Sequence, residues 1–169
     1  TDGDGVGNNL DTDDDNDGLN DTDETSSDPA TDLLKADTDD DGYCDGLIAV
    51  EGICEVGPDL FPTDPNDWAD NDGDGIGDNA DSDDDNDGLD DIVEDANGNG
   101  TVDEGETDPL DPDTDDDGYC DGPLSVIINE VLICEAGPDA FPLDPSEWLD
   151  TDGDGIGNNE DLDDDGDGL

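Results

Sequence analysis

Apolar residues are thinly spread along this chain and follow a rule. Val6, Leu19, Ile76, Leu89 and Ile156 each stand alone among acids, directly after a glycine. The spacing leaves no room for a helix between consecutive acidic segments, so it predicts a mostly irregular chain with little regular secondary structure. The run 125–133 is the exception, being apolar and β-branched, and it predicts a short hairpin with Asn129 and Glu130 near its tip. A shorter version, 47–53, predicts a second such hairpin.

The acids between the apolar positions fall in register. In 83–94, Asp83, Asp85 and Asp87 stand at positions 1, 3 and 5, Gly88 at 6, Leu89 at 7, Asp91 at 9 and Glu94 at 12. This is the arrangement of a calcium loop, with side-chain oxygens at 1, 3, 5, 9 and 12 and a backbone carbonyl at 7. A hard cation needs about six to eight oxygens, and only a tightly turned chain with acids on alternate residues offers that many from one short segment. The same register gives Asp13, Asp15, Asp17, Leu19, Asp21 and Glu24, then Asp70, Asp72, Asp74, Ile76, Asp78 and Asp81. It also gives Asp95, Asn97, Asn99, Thr101, Asp103 and Glu106, and Asp150, Asp152, Asp154, Ile156, Asn158 and Asp161. Two loops are cut by the chain ends: Asp2, Asp4, Val6, Asn8 and Asp11 at the start, Asp163, Asp165, Asp167 and Leu169 at the finish. That is the expected signature of a piece of a longer periodic chain.

Two further loops keep positions 1 to 9 but carry Ile48 or Leu124 at position 12. They are Asp37, Asp39, Asp41, Tyr43 and Asp45, and Asp113, Asp115, Asp117, Tyr119 and Asp121. Glu55 or Asp59, and Glu135 or Asp139, are the candidates for the missing ligand.

Composition sharpens the reading. The 169 residues include 59 Asp or Glu against one basic residue, Lys35, and no His, for a net charge of -58. Only 28% are hydrophobic, too few for an ordinary core, so without a counter-cation the chain is expected to be disordered. Plain disorder would not repeat the glycine at position 6. A salt-adapted surface would need a hydrophobic scaffold, and a nucleic-acid mimic would not need this register. Without His, zinc and redox metals are disfavoured. No nucleophile–base pair suggests an enzyme, and nothing suggests a nucleic-acid partner or a membrane span in this segment. The expected cofactor is Ca²⁺, about seven to nine ions per chain. Nine filled loops would bring the charge from -58 to about -40, still strongly acidic.

The chain repeats itself. TDGDGVGNNLDTDDDNDGLND at Thr1 returns with substitutions as NDGDGIGDNADSDDDNDGLDD from Asn71 and as TDGDGIGNNEDLDDDGDGL from Thr151. DTDDDGYCDG occurs at Asp37 and Asp113, and each copy ends in an FP-x-DP-x-x-W segment at Trp68 or Trp148. The predicted organisation is a calcium-loop repeat at 1–36, a cysteine and aromatic module at 37–69, a loop repeat with an inserted third loop at 70–112, a second module at 113–149, and the start of a third repeat at 150–169. Each module holds one cysteine pair, which predicts Cys44–Cys54 and Cys120–Cys134, the alternative being four free thiols. Disulfides point to an oxidising compartment. Tyr43, Phe61 and Trp68, with Tyr119, Phe141 and Trp148, are expected to form small packing clusters.

The segment DNDGDGIGDNADSDDDNDGLDD, from Asp70 to Asp91, resembles a thrombospondin type 3 repeat. The aromatic tail resembles bacterial secreted relatives of that family, and Asn79-Ala80 and Asn159-Glu160 stand where animal repeats place a cysteine. The resemblance implies an elongated, extracellular, calcium-packed repeat with the acids at positions 1, 3, 5, 9 and 12 as ligands. The expected function is a structural segment of a fibre, stalk or adhesin at the cell surface, self-associating or continued in a longer array. The alternatives are a calcium buffer or mineral-nucleating matrix protein, or a spacer attached to an enzyme or lectin domain.

Overall fold

The computed structural model describes all residues except Thr1, Asp2, Asp4, Asp28, Val56 and Leu169. The candidate ligands Asp2, Asp4 and Leu169 therefore lie outside the described residues. The chain divides into two compact units, Thr1–Asp70 with Gly75–Ala80, and Asn71–Asp74 with Asp81–Leu169. Turns and bends dominate both. The regular elements among the described residues are two single-turn helices, α1 (Asp21–Glu24) and α2 (Asp91–Glu94), and two strands, β1 (Val126–Ile128) and β2 (Val131–Cys134). Neither helix is long or apolar enough to cross a membrane.

Strands β1 and β2 form the antiparallel hairpin expected in 125–133, with Ile128 opposite Val131. Asn129 and Glu130 make its turn at φ 52° and 67°, the left-handed pair that suits a two-residue hairpin. The first copy differs. Among the described residues, 47–53 forms no strand pair, only an isolated bridge between Val50 and Cys54. The reason is length: Cys44 and Cys54 are 10 apart, against 14 for Cys120 and Cys134, which leaves too few residues for a turn and two paired strands. Among the described residues, the disulfide-locked hairpin is therefore present in the second module and not in the first.

Both expected disulfides are present, Cys44–Cys54 and Cys120–Cys134. They supply most of the little apolar core: Ala36, Cys44 and Cys54 in one unit, and Cys120, Val126 and Cys134 in the other. Tyr43 stacks on Trp68 with ring centroids 4.7 Å apart, and Tyr119 stacks on Trp148 at 5.2 Å. Few other apolar side chains are buried, and Leu10, Ile92 and Leu162 stand in solvent. What is buried instead is carboxylate. Asp17, Glu24, Asp85, Asp87 and Glu94 are each no more than 1% exposed.

Candidate metal centre

One hydrogen-bond scheme recurs from loop to loop. The position-1 carboxylate accepts backbone N–H groups from positions 4 to 6. Asp37 accepts from Asp40 at 2.7 Å and Gly42 at 3.0 Å, Asp95 from Gly98 at 2.8 Å and Gly100 at 2.7 Å, and Asp150 from Gly153 at 2.7 Å and Gly155 at 2.9 Å. Position 3 accepts from the N–H of position 5, as in Asp85 from Asp87 at 3.1 Å. Position 5 accepts from position 7, as in Asp41 from Tyr43 at 2.7 Å and Asp154 from Ile156 at 2.9 Å. Position 9 accepts from position 2: Asp21 from Asp14 and Asp91 from Asp84, both at 3.0 Å.

The tight turn requires two left-handed residues. Position 6 is glycine throughout, with φ 93° at Gly18 and 91° at Gly88. Position 4 is also left-handed: φ is 65° at Asn16, 68° at Asp40, 60° at Asn86 and 62° at Asp116. At position 4 the other loops place Gly3, Gly73, Gly98, Gly153 and Gly166, also at positive φ. Asn, Asp and Gly are the residues that tolerate this region. Asn, Asp or Gly at position 4 is thus a second sequence signal of the loop, beside the glycine at position 6.

Position-1 acids such as Asp37 and Asp95 accept through both oxygens, whereas Asp39, Asp85 and Asp115 at position 3 and Asp41 and Asp117 at position 5 accept through Oδ1 and leave Oδ2 buried without a partner. Among the described residues, the buried oxygens without a hydrogen-bond partner include Oδ2 of Asp15, Asp39, Asp41, Asp85, Asp115 and Asp117, and Oε2 of Glu24 and Glu94. Such atoms are costly unless something pairs with them, and a charged one more so. They are also crowded. Asp13, Asp15 and Asp17 bring oxygens within 4.8 Å of one another, as do Asp37 with Asp39 and Asp41, and Asp83 with Asp85 and Asp87.

Burial is the main cause of the resulting pKa shifts, and neighbouring charges add to it. Burial, then the charges of Asp15 and Asp17, push the Glu24 carboxyl up to about 8. Burial, with Asp87 and Glu94 nearby, takes Asp85 to about 8, and burial with Asp87 and Asp121 takes Glu94 to about 8. Asp15 rises to about 6, again through burial first and Asp17 second. A cation would relieve both the desolvation and the repulsion, and an all-oxygen set with inward orphan oxygens fits a hard divalent ion.

The single helical turns serve the loops. Helix α1 carries Asp21 and Glu24, and α2 carries Asp91 and Glu94, which are positions 9 and 12. Each glutamate is steadied through Oε1, which accepts from Thr31 Oγ1 at 3.4 Å in one unit and from Thr107 Oγ1 at 3.1 Å in the other.

The linear register missed the links between loop and module. Asp121 is position 9 of its own loop, yet it brings an oxygen within 4.8 Å of Asp87 and Glu94, all three buried. Asp45 likewise acts electrostatically on Asp15 and Asp17. Two acids that carried no assignment, Asp67 and Glu147, are buried against the next loop. Asp67 accepts from Asn79 N–H at 3.3 Å and Glu147 from Asn159 N–H at 2.9 Å. Gly77 and Gly157 lie so close to these carboxylates that a Cβ would collide with them.

The remaining loops are open. In 95–106 the side-chain amide of Asn97 donates to Asp103 at 3.0 Å and to Glu106 at 3.0 Å, so positions 3, 9 and 12 converge, but near the surface. Asp152, Asp154, Asp165 and Asp167 are exposed, and Asp150, Asn158, Asp161 and Asp163 are half-buried. In 70–81, Asp70 accepts from Gly75 at 3.1 Å, Asp72 from Asp74 at 2.8 Å, and Asp78 N–H donates to the Ala69 carbonyl at 3.0 Å. At the start of the chain, Asn8 and Asp11 are half-buried, Val6 is exposed, and Asp11 N–H donates to the Gly7 carbonyl at 3.2 Å. No protein-family model matches this sequence, and no curated protein matches it.

Proposed function

We propose that this chain is a calcium-binding repeat segment of the thrombospondin type 3 kind, rigidified by its ions and serving a structural role in an extracellular fibre, stalk or adhesin. The observation that carries the reading is the recurrence of inward carboxylate oxygens that are buried and unpaired in loops of one geometry. The acids at positions 1, 3, 5, 9 and 12, with the position-7 carbonyl, would hold Ca²⁺. The ion supplies positive charge and oxygen coordination. The protein supplies the turn, the spacing and the exclusion of water. Magnesium would serve poorly, because it demands a rigid octahedron and keeps its waters. The disulfides suit an oxidising compartment, which supports the extracellular placing. The role is architectural and not catalytic.

Small-angle scattering tests the central claim. The full chain should be expanded after removal of divalent ions and compact in millimolar calcium, and an unchanged radius would refute calcium-driven folding. Native mass spectrometry should count about seven to nine bound ions per chain. Electron microscopy of the native material should show stiff fibres or stalks that lose order in chelator.

A second reading, a calcium buffer or mineral-nucleating matrix protein, draws on the exposure of loops 95–106 and 150–161. Open sites exchange ions more readily than buried ones. A chain that tumbles as a monomer in calcium and releases much of its metal rapidly would favour it.

A further inference from the structure

The loops that begin at Asp37 and Asp113 lack an acid at position 12, and the chain uses that position for something else. Ile48 N–H donates to the Asp17 carbonyl at 2.6 Å, and Leu124 N–H to the Asp87 carbonyl at 2.7 Å. Their side chains lie over Gly18 and Gly88. Position 12 therefore fastens the module to the preceding loop.

A later acid comes back in each copy. Asp59 N–H donates to the Cys44 carbonyl at 2.9 Å, and Asp139 N–H to the Cys120 carbonyl at 3.0 Å. One oxygen of each is spent locally: Asp59 Oδ1 accepts from Phe61 N–H at 2.7 Å, and Asp139 Oδ1 from Phe141 N–H at 2.6 Å. The other oxygen, Oδ2, is buried without a partner in both, and the two residues are only 5% and 7% exposed. The charges that bear on Asp59 come from Asp41, Asp39 and Asp45, and those on Asp139 from Asp117, Asp115 and Asp113. Asp39, Asp41, Asp115 and Asp117 each hold an orphan buried Oδ2 of their own.

Glu55 and Glu135, the competing candidates, are placed differently. Their backbones pair with the loop: Glu55 N–H donates to the Gly42 carbonyl at 2.7 Å and Glu135 N–H to the Gly118 carbonyl at 2.8 Å. Their side chains are exposed.

We propose that Asp59 and Asp139 are the closing ligands of two composite divalent-cation sites, each made from the first nine positions of one loop and an acid delivered by the disulfide-bonded turn that follows. The inference rests on the calcium-binding reading of the loops. It adds that these two sites are non-local. Their closing oxygen arrives only when the module has folded, so metal affinity there reports on the tertiary structure of the module, whereas a self-contained loop can close on its own residues.

The test counts ions on the full chain by native mass spectrometry across a calcium titration. Asp59→Asn with Asp139→Asn keeps the oxygen that Phe61 and Phe141 need and turns the orphan oxygen into an amide NH₂. This variant should bind two ions fewer than the wild type at calcium levels that fill the rest. Glu55→Gln with Glu135→Gln should keep the wild-type count. Equal counts in all three proteins would overturn the inference while leaving the calcium reading intact. A two-ion loss in the glutamate variant instead would overturn it in favour of Glu55 and Glu135. Loss of many more than two ions in the aspartate variant would overturn a local closing role. A wild type that binds no calcium would defeat the underlying reading itself.

Discussion

Asp17 accepts the backbone N–H of Gly46 through Oδ2 at 2.7 Å, across 29 residues of chain. Asp87 and Gly122 make the same bond in the other unit, across 35. One buried carboxylate thus serves the loop through Oδ1, which accepts from Leu19 at 2.7 Å, and the cysteine module through Oδ2.

The closeness of that approach makes Gly46 sensitive. A Cβ there would sit 2.5 Å from the Asp17 carbonyl oxygen, and one at Gly122 would meet the Asp87 carboxylate. Gly46→Ala and Gly122→Ala should each cost about 1–3 kcal/mol in urea unfolding with calcium present. Gly7→Ala, with nothing within 4 Å, should stay within about 0.5 kcal/mol of wild type.

The left-handed residue at position 4 gives a second outcome. Asn86→Gly should be tolerated, because φ at this site is 60°. Asn86→Val should cost on the order of 1–2 kcal/mol, since a β-branched residue resists that region. Thermal unfolding in saturating calcium reads the difference. Equal melting points would mean the loop can re-form without the left-handed turn.

Removing one disulfide should matter even with metal bound. Cys120→Ala with Cys134→Ala releases a constraint on the unfolded chain worth about 3 kcal/mol for a loop of this length. It also frees the turn that carries Asp139. The expected result is a lower urea midpoint and weaker binding of one ion in the second unit, with the first unit unchanged.

Acid should compact the metal-free chain. Glu24, Asp85 and Glu94 titrate near 8 when folded, and Asp59 near 7, because burial and neighbouring acids favour their protonated forms. The folded form therefore holds protons that the unfolded form has released. The stability this gives is complete below about pH 4, the ordinary carboxylate range, and is lost as pH rises through 8. Scattering on metal-free protein should give a smaller radius at pH 5 than at pH 8. Calcium reverses the dependence, since it competes with those same protons and binds more weakly in acid. A metal-free chain tighter at pH 8 would contradict the assignment of these sites.

The sequence made the loops legible because their chemistry is local: a ligand on every second residue and a glycine at the turn can be read without knowing the fold. The cysteine pairs and the 125–133 hairpin were legible for the same reason. What escaped was everything that crosses between segments. Asp121 is an ordinary position-9 acid until the module folds back and sets it beside Asp87 and Glu94. Asp67 and Glu147 lie outside any loop, and only the missing Cβ of Gly77 or Gly157 lets them reach one. The hairpin expected at 47–53 failed for want of length, which the closer cysteine spacing of the first module already showed in the sequence.

The stacked pairs Tyr43–Trp68 and Tyr119–Trp148 have an optical consequence. They contain every tryptophan and tyrosine in the chain, two of each, and both tyrosines stand at position 7 of a module loop. Near-ultraviolet absorption and intrinsic emission are thus confined to the cysteine modules and their flanks. A fluorescence titration would follow the ions beside those rings, while ions entering loop 95–106 would pass without a signal.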